Sequence, residues 1–237
     1  MVEKDKGRKM ISCFARSPNS LGYCGRESAG DAFTSCLADG CCDGVMEEVK
    51  NFIVLNPYLR ALSKILNMEM DDSRVVEAYW IGNDELLKVK EEDYDLLLKM
   101  FEEQGVPSWL IDELKSKRPK RFLPTHLFQV LHVGVGRASG SVPYNIETIN
   151  NCMIRWGKVL DIKEDNVALS LNSIQNVVTP YKIQELDVVM PYNELLVGKL
   201  AKGNVVAVHW NQVVRKLSKG EVQRLEFWTE EVLRSFD

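Results

Sequence analysis

Long apolar runs are missing from this 237-residue sequence. No stretch approaches the roughly 18 residues that a membrane-spanning helix needs, so no membrane partner is expected. The charged start, Met1 to Lys9, is followed by no apolar signal-peptide core, so a cytoplasmic location is expected. A surplus of positive charge is missing too: 30 Lys and Arg face 34 Asp and Glu, for a net charge of -4. That balance disfavours nucleic acid as a partner. Histidine is scarce, with three in all, His126, His132 and His209. There is no glycine-rich phosphate loop, no pair of carboxylates at useful spacing and no Ser-His-Asp set. Repeats and low-complexity segments are absent.

What is present is an ordinary globular composition, 45% apolar and 27% charged, long enough for one large domain or two small ones. Six cysteines stand at 13, 24, 36, 41, 42 and 152. Without an export signal, free thiols or metal ligands are expected rather than disulfides. Cys36, Cys41 and Cys42 cluster, and Cys24 would make a fourth thiol. Their spacing lacks the Cys-x2-Cys pairs of common zinc and iron–sulfur sites.

Along the chain, Met1 to Lys9 reads as a solvated tail and Phe14 to Arg26 as a loop punctuated by Pro18, Gly22 and Gly25. Helical spacing then dominates. Ser28 is an N-cap candidate for Ala29 to Ala38, Pro57 sits at a helix start, and Asp71-Asp72-Ser73 opens a helix carrying Val75, Val76, Tyr79 and Trp80 that Gly82 ends. Short helices are expected over Glu85–Val89, Tyr94–Phe101 and Trp109–Leu114. Pro124 to Val133 is apolar and ambiguous between strand and helix. After Cys152 the period changes to two, with strands over Val159–Lys163, Val167–Leu171, Lys182–Met190 and Val205–Trp210. Ser218 and Glu221 match a capping box for a terminal amphipathic helix. The expected class is α+β: a helical domain over 10–133, a linker over 134–151, and a small OB-like β-barrel with a C-terminal helix over 152–237.

Three pieces of the last region occur in a telling order: Cys152-Met-Ile-Arg-Trp156-Gly157-Lys158-Val159, then Lys202-Gly-Asn-Val-Val-Ala-Val208-His209, then a helix opening near Glu221. In this it resembles the hydrogenase-assembly chaperone family (HypC/HupF), with Trp156 where that family has proline and with 151 residues ahead of the cysteine. The resemblance implies a five-stranded OB-like barrel. It also implies a cysteine, Cys152, that handles an Fe(CN)2CO unit with support from His209. The partners implied are a second maturation protein and a hydrogenase large subunit. The Asn19–Gly25 loop and Val75–Asn83 resemble an uncharacterised archaeal and bacterial family, which implies no activity.

Cys152 also has a chemical rationale of its own, since thiolate is a strong donor to iron with strong-field partners. His209 ends an apolar run beside Trp210, where imidazole can ligate a metal. The reading that follows is an accessory or chaperone protein of metallocentre assembly, with metal ligands Cys152 and His209 and a transient iron fragment. Trp156 and Trp210 are candidates to wall that site. The competing reading is a cysteine-dependent enzyme using Cys24 with His126 or His132, the barrel recognising substrate. A nucleic-acid-binding barrel is a third.

Overall fold

The computed structural model describes residues 3–176 and 179–236. The first element, α1, runs over Glu3–Ser20, so the expected tail and the first part of the expected loop are one helix; Met1 and Val2 lie outside the described residues. Burial explains the difference, because Ile11, Phe14 and Ala15 share a face that is fully covered. Helices α2 (Ala29–Ala38), α3 (Val45–Val49), α4 (Leu55–Leu66) and α5 (Ser73–Trp80) follow. Asp72 caps α5 by accepting from the Arg74 backbone N–H. A 3-10 turn (Asp84–Lys88) leads to α6 (Asp93–Gln104) and α7 (Ser108–Ser116). The ambiguous segment is helical: α8 (His126–Phe128) winds directly into a π-helical turn over Gln129–Gly134.

The stretch expected to be a linker contains α9, Ile146–Cys152, nucleated by a reciprocal capping box between Asn145 and Thr148. Cys152 therefore closes a helix rather than opening a strand; β1 begins three residues later, at Arg155. Five antiparallel strands, β1 (Arg155–Lys163), β2 (Asn166–Ile174), β3 (Ile183–Pro191), β4 (Val205–His209) and β5 (Gln212–Leu217), lie in the order β3-β2-β1-β4-β5. A short α10 (Glu194–Val197) precedes β4. The class is α+β as expected, but the sheet is open, with β3 and β5 as its edges. Gly157 is demanded by the β1–β2 pairing, since a Cβ there would lie 2.9 Å from the Ser170 carbonyl oxygen. Helix α11 (Lys219–Arg234) starts on the expected Ser218–Glu221 capping box.

The main core runs without a break from α1 through Trp80 to Cys152, Trp156, Trp210 and Trp228, so the helical part and one face of the sheet share it. A smaller apolar cluster, with Val159, Leu169 and Val206, covers the other face. Trp156 serves the core: its Nε1–H donates to Glu226 on α11. Cys36 and Cys42 form a disulfide, against the expectation of free thiols. They are brought together because both are buried beside the end of α2, where Gly40 turns the chain back. Cys13, Cys24, Cys41 and Cys152 are free.

Gly82 joins the two parts tightly. It ends α5 at φ +88°, and a Cβ would sit 2.4 Å from the Trp228 ring of α11. Gly203 has nearly the same φ, +87°, but faces open space. Gly82→Ala should therefore cost at least ~2 kcal/mol more in urea denaturation than Gly203→Ala, the excess being the clash alone. Equal costs would mean that α11 does not press on this turn.

Candidate metal centre

Pro18 lies inside α1 and has no backbone N–H. The carbonyl four residues earlier, Phe14, consequently has no helical donor. It accepts instead from His209, whose Nδ1 stands 2.7 Å away. Nδ1 must carry the proton in this bond, which leaves Nε2 as the bare lone pair. Nε2 is buried and has no hydrogen-bond partner. Ser17 adds a second tie by donating from its hydroxyl to the His209 carbonyl at 2.9 Å.

His209 is the last residue of β4, and the hairpin beyond it, Trp210-Asn211, has positive φ at both residues. That is the type I′ geometry that suits a two-residue connection. The Trp210 backbone N–H donates to the Asn151 carbonyl at 2.6 Å. The hairpin is thereby pinned to the C-terminal end of α9, and His209 comes to face Cys152.

His126 arrives from a third direction. Thr125 caps α8, its hydroxyl accepting from the Phe128 N–H, and so presents His126 at the first turn. The His126 Nε2 lies 2.7 Å from the Cys152 carbonyl oxygen and 3.7 Å from its Sγ. On the other side, Nδ1 is 3.0 Å from the Tyr79 hydroxyl, which lies 2.9 Å from Gln129 Oε1. With Nε2–H donating to the carbonyl, Tyr79 donates to Nδ1. With the proton on Nδ1, His126 donates to Tyr79 and Tyr79 to Gln129, and Nε2 is bare. Tyr79 has one hydrogen to give, so the first arrangement pairs Nε2 with the Cys152 carbonyl and leaves Gln129 Oε1 without a donor, and the second pairs Gln129 and leaves Nε2 bare.

One donor atom from each of His126, Cys152 and His209 lies within 4.8 Å of the others, and all three residues are buried. A tetrahedral centre with ordinary metal–sulfur and metal–nitrogen bonds separates S from N by about 3.6 Å. The Cys152–His126 spacing of 3.7 Å is of that size. Two imidazoles and a thiol suit zinc, iron, copper or nickel rather than calcium or magnesium. Three protein donors would leave a further coordination position for a metal held there, and all three residues line a cavity of about 500 Å³ whose walls include Cys24, Phe52, Trp80, Val135 and Trp210.

Burial sets the electrostatics. It pushes the Cys152 thiol well above its usual value, an effect increased by Cys24 and opposed by the Trp210 indole. It drives His126 down to about 4, against the pull of the Cys152 carbonyl and Gln129. His209 lies well below the ordinary histidine value, from burial first and then from the neighbouring His126; the Phe14 and Cys152 carbonyls pull the other way. The Cys152 carbonyl is near the His209 ring without hydrogen-bonding geometry to Nε2, which is why that nitrogen stays unpartnered.

The expected pair Cys152 and His209 is thus brought together, and His126, expected to serve Cys24, joins them. Cys24 lines the same cavity but is not in the close set. Its carbonyl is held by the buried Asn19 amide, and burial raises its thiol to about 12. His132 is elsewhere, with Nε2 2.8 Å from the Tyr94 hydroxyl, lining a different crevice near Tyr144 and Phe236. Trp210 walls the site, its ring tilted against that of Tyr23 with centroids 4.5 Å apart, whereas Trp156 does not line the cavity. The role of Phe14 was hidden from sequence reading, because a carbonyl freed by a proline gains meaning only when its distant donor is known.

Residues 3–237 match the model of a Family of unknown function (DUF6390), and the chain belongs to that family. No curated protein and no solved structure matches it.

Buried neutral histidines make stability depend on pH. In the unfolded chain His126 takes a proton near pH 6.5. In the folded protein it does so only near 4, and His132 is likewise lowered to about 4 by burial. Between these values the unfolded state binds more protons, so stability should fall as pH drops from 6.5 to 4. The loss is roughly 3 kcal/mol for the fully buried His126 and less for the partly exposed His132. Urea midpoints at pH 7 and pH 4.5 measure it, and equal midpoints would contradict the assignment of neutral buried rings.

Proposed function

We propose that this DUF6390 chain is an accessory protein of metallocentre assembly that carries a transition-metal fragment on Cys152 and His209, with His126 as third ligand. The reading is carried by one observation: the unpartnered, buried His209 Nε2, whose ring is fixed by Nδ1–H donation to the Phe14 carbonyl, within reach of Cys152 and His126. A second ring nitrogen anchored on a carbonyl is the usual support of a metal-ligating histidine. The open position beside a cavity suits delivery or acceptance of a group better than a closed structural site does.

The Cys152-x4-Gly157-Lys158-Val159 and Val208-His209 motifs narrow the cargo to an iron fragment of the [NiFe]-hydrogenase type. The client is then a maturation protein or the hydrogenase large subunit. This narrowing rests on the motifs, since the matching family has no activity to transfer. The reading puts this work in the cytoplasm, and the four free thiols support it. The function proposed is binding and transfer, not turnover. A Cys24 enzyme would draw on the shared cavity with His126, but a thiol raised to about 12 is a poor nucleophile near neutrality. No observation favours the nucleic-acid reading.

Two measurements check the proposal. Co-expressed with hydrogenase maturation proteins, the purified chain should show CO and CN infrared bands that Cys152→Ser abolishes. Equal bands in both proteins, or bands in neither, would refute the iron-fragment reading. Independently, Co(II) binding should release one proton per metal between pH 7 and 9. The thiol must be deprotonated, while His126 at about 4 and His209 well below its usual value have no proton to give. Affinity should rise about tenfold per pH unit, and Cys152→Ser should remove the release; calorimetry in buffers of different ionisation enthalpy counts the proton.

A further inference from the structure

Trp80 and Trp210 both line the cavity, and each has a buried indole N–H with no hydrogen-bond partner. Buried donors are almost always paired, so two orphans on one cavity beside an orphaned histidine nitrogen call for an explanation. Neither indole is loose. Trp80 is stacked at 5.0 Å on Phe14, and its ring lies 4.6 Å from His126 and 5.8 Å from His209. Trp210 is locked against Tyr23, and its backbone is held in the left-handed region at φ +50°, a conformation that a bulky side chain rarely adopts. Elsewhere the chain does satisfy an indole, since Trp156 donates to Glu226. Phe52, Val135 and Val142 give the cavity apolar walls; Asn51, Gln129, Ser139 and Ser141 line it too, but neither indole N–H is hydrogen-bonded to any of them.

We infer that Trp80 and Trp210 are a donor pair that recognises small anionic ligands on the metal group, so that the group held by His126, Cys152 and His209 carries terminal hydrogen-bond acceptors into the cavity. The inference rests on the metal reading above and adds what selects the cargo. His126, Cys152 and His209 choose the metal. The two indoles choose what else is bound to it, because an apolar or donor-bearing ligand would leave both N–H groups unpaired. A bare aqua ion could fill the donors only through its bound water.

The test uses the full chain loaded with Co(II) and titrated with azide, a small anion with acceptor ends, followed by visible absorption. Wild type should bind azide, and Trp80→Phe and Trp210→Phe should each weaken it by about tenfold, the worth of one hydrogen bond to a charged acceptor. Affinities are compared on the cobalt-loaded form of each protein, so a change in cobalt binding does not enter. Trp109→Phe, on the exposed face of α7, should change nothing. Equal azide affinity in wild type and both variants, or no azide binding by cobalt-loaded wild type, overturns the donor pair and leaves the metal site standing. Failure of wild type to bind Co(II) at all overturns both. If either variant does not fold, the wild-type protein decides. In its zinc form, azide should move the indole N–H signals of Trp80 and Trp210 downfield and leave that of Trp156, and no movement overturns the inference.

Discussion

The hydrogen bond from His209 Nδ1 to the Phe14 carbonyl ties the molecule together. It joins residues 195 apart in sequence, the first helix to the end of the fourth strand. Pro18 makes it possible by withholding the N–H that would otherwise occupy that carbonyl. A proline in a helix interior normally costs about 3 kcal/mol, part of it for the lost bond. Here the freed acceptor is satisfied by a side chain, and the cost is offset by a contact that fixes a tautomer. Each consequence follows by elimination. The proton is on Nδ1, so the lone pair is on Nε2, on the ring that forms the close set with Cys152 and His126.

The same bond explains why the helical part and the sheet share one core. A sheet whose site histidine must reach the first helix cannot be held off by a linker. Helix α9 lies where a linker was expected and contributes Cys152, while α8 and the π-helical turn at Gln129–Gly134 just before that stretch contribute His126 and Gln129. An i→i+5 turn is rare and tends to mark functional positions, because it reorients side chains without breaking the helix. Here it aims Gln129 back at Tyr79, inside the relay that steadies His126.

Local signals were legible in the sequence and long-range ones were not. The capping boxes at Asn145 and Ser218, the acidic cap at Asp72 and the alternation of β2 are short patterns whose physics acts within a few residues. The Ser218 box and the Asp72 signal read directly, and Cys152 and His209, singled out in the sequence, do lie close together. Helix α1 did not, because its charged start and Pro18 argue against a helix, and only burial of Ile11 and Phe14 against the rest of the fold overrules them. His126 was seen as a candidate but assigned to Cys24, since no spacing rule links it to a cysteine 26 residues on. The Cys36–Cys42 disulfide escaped a reading based on compartment, because the turn at Gly40 rather than composition brings the sulfurs together.

Burial and chemistry conflict in the site as it stands. A thiol, two imidazoles and two indoles have been taken from water, and several of their polar atoms receive nothing in return. Each unmatched group costs about 1–3 kcal/mol, a sum that is large against the 5–15 kcal/mol by which a domain is stable. A fold can bear that deficit where it is a preorganised vacancy, with the orphaned acceptor and donors spaced around one cavity and held by rigid neighbours. The compensation then comes on binding: a cation for the lone pair and the sulfur, and acceptors for the two N–H groups. A bare cation meets the first need and an anion the second, whereas a metal bearing its own small anionic ligands meets both at once. On the proposed reading, the distribution of unsatisfied atoms argues for such a composite cargo more closely than any one residue does.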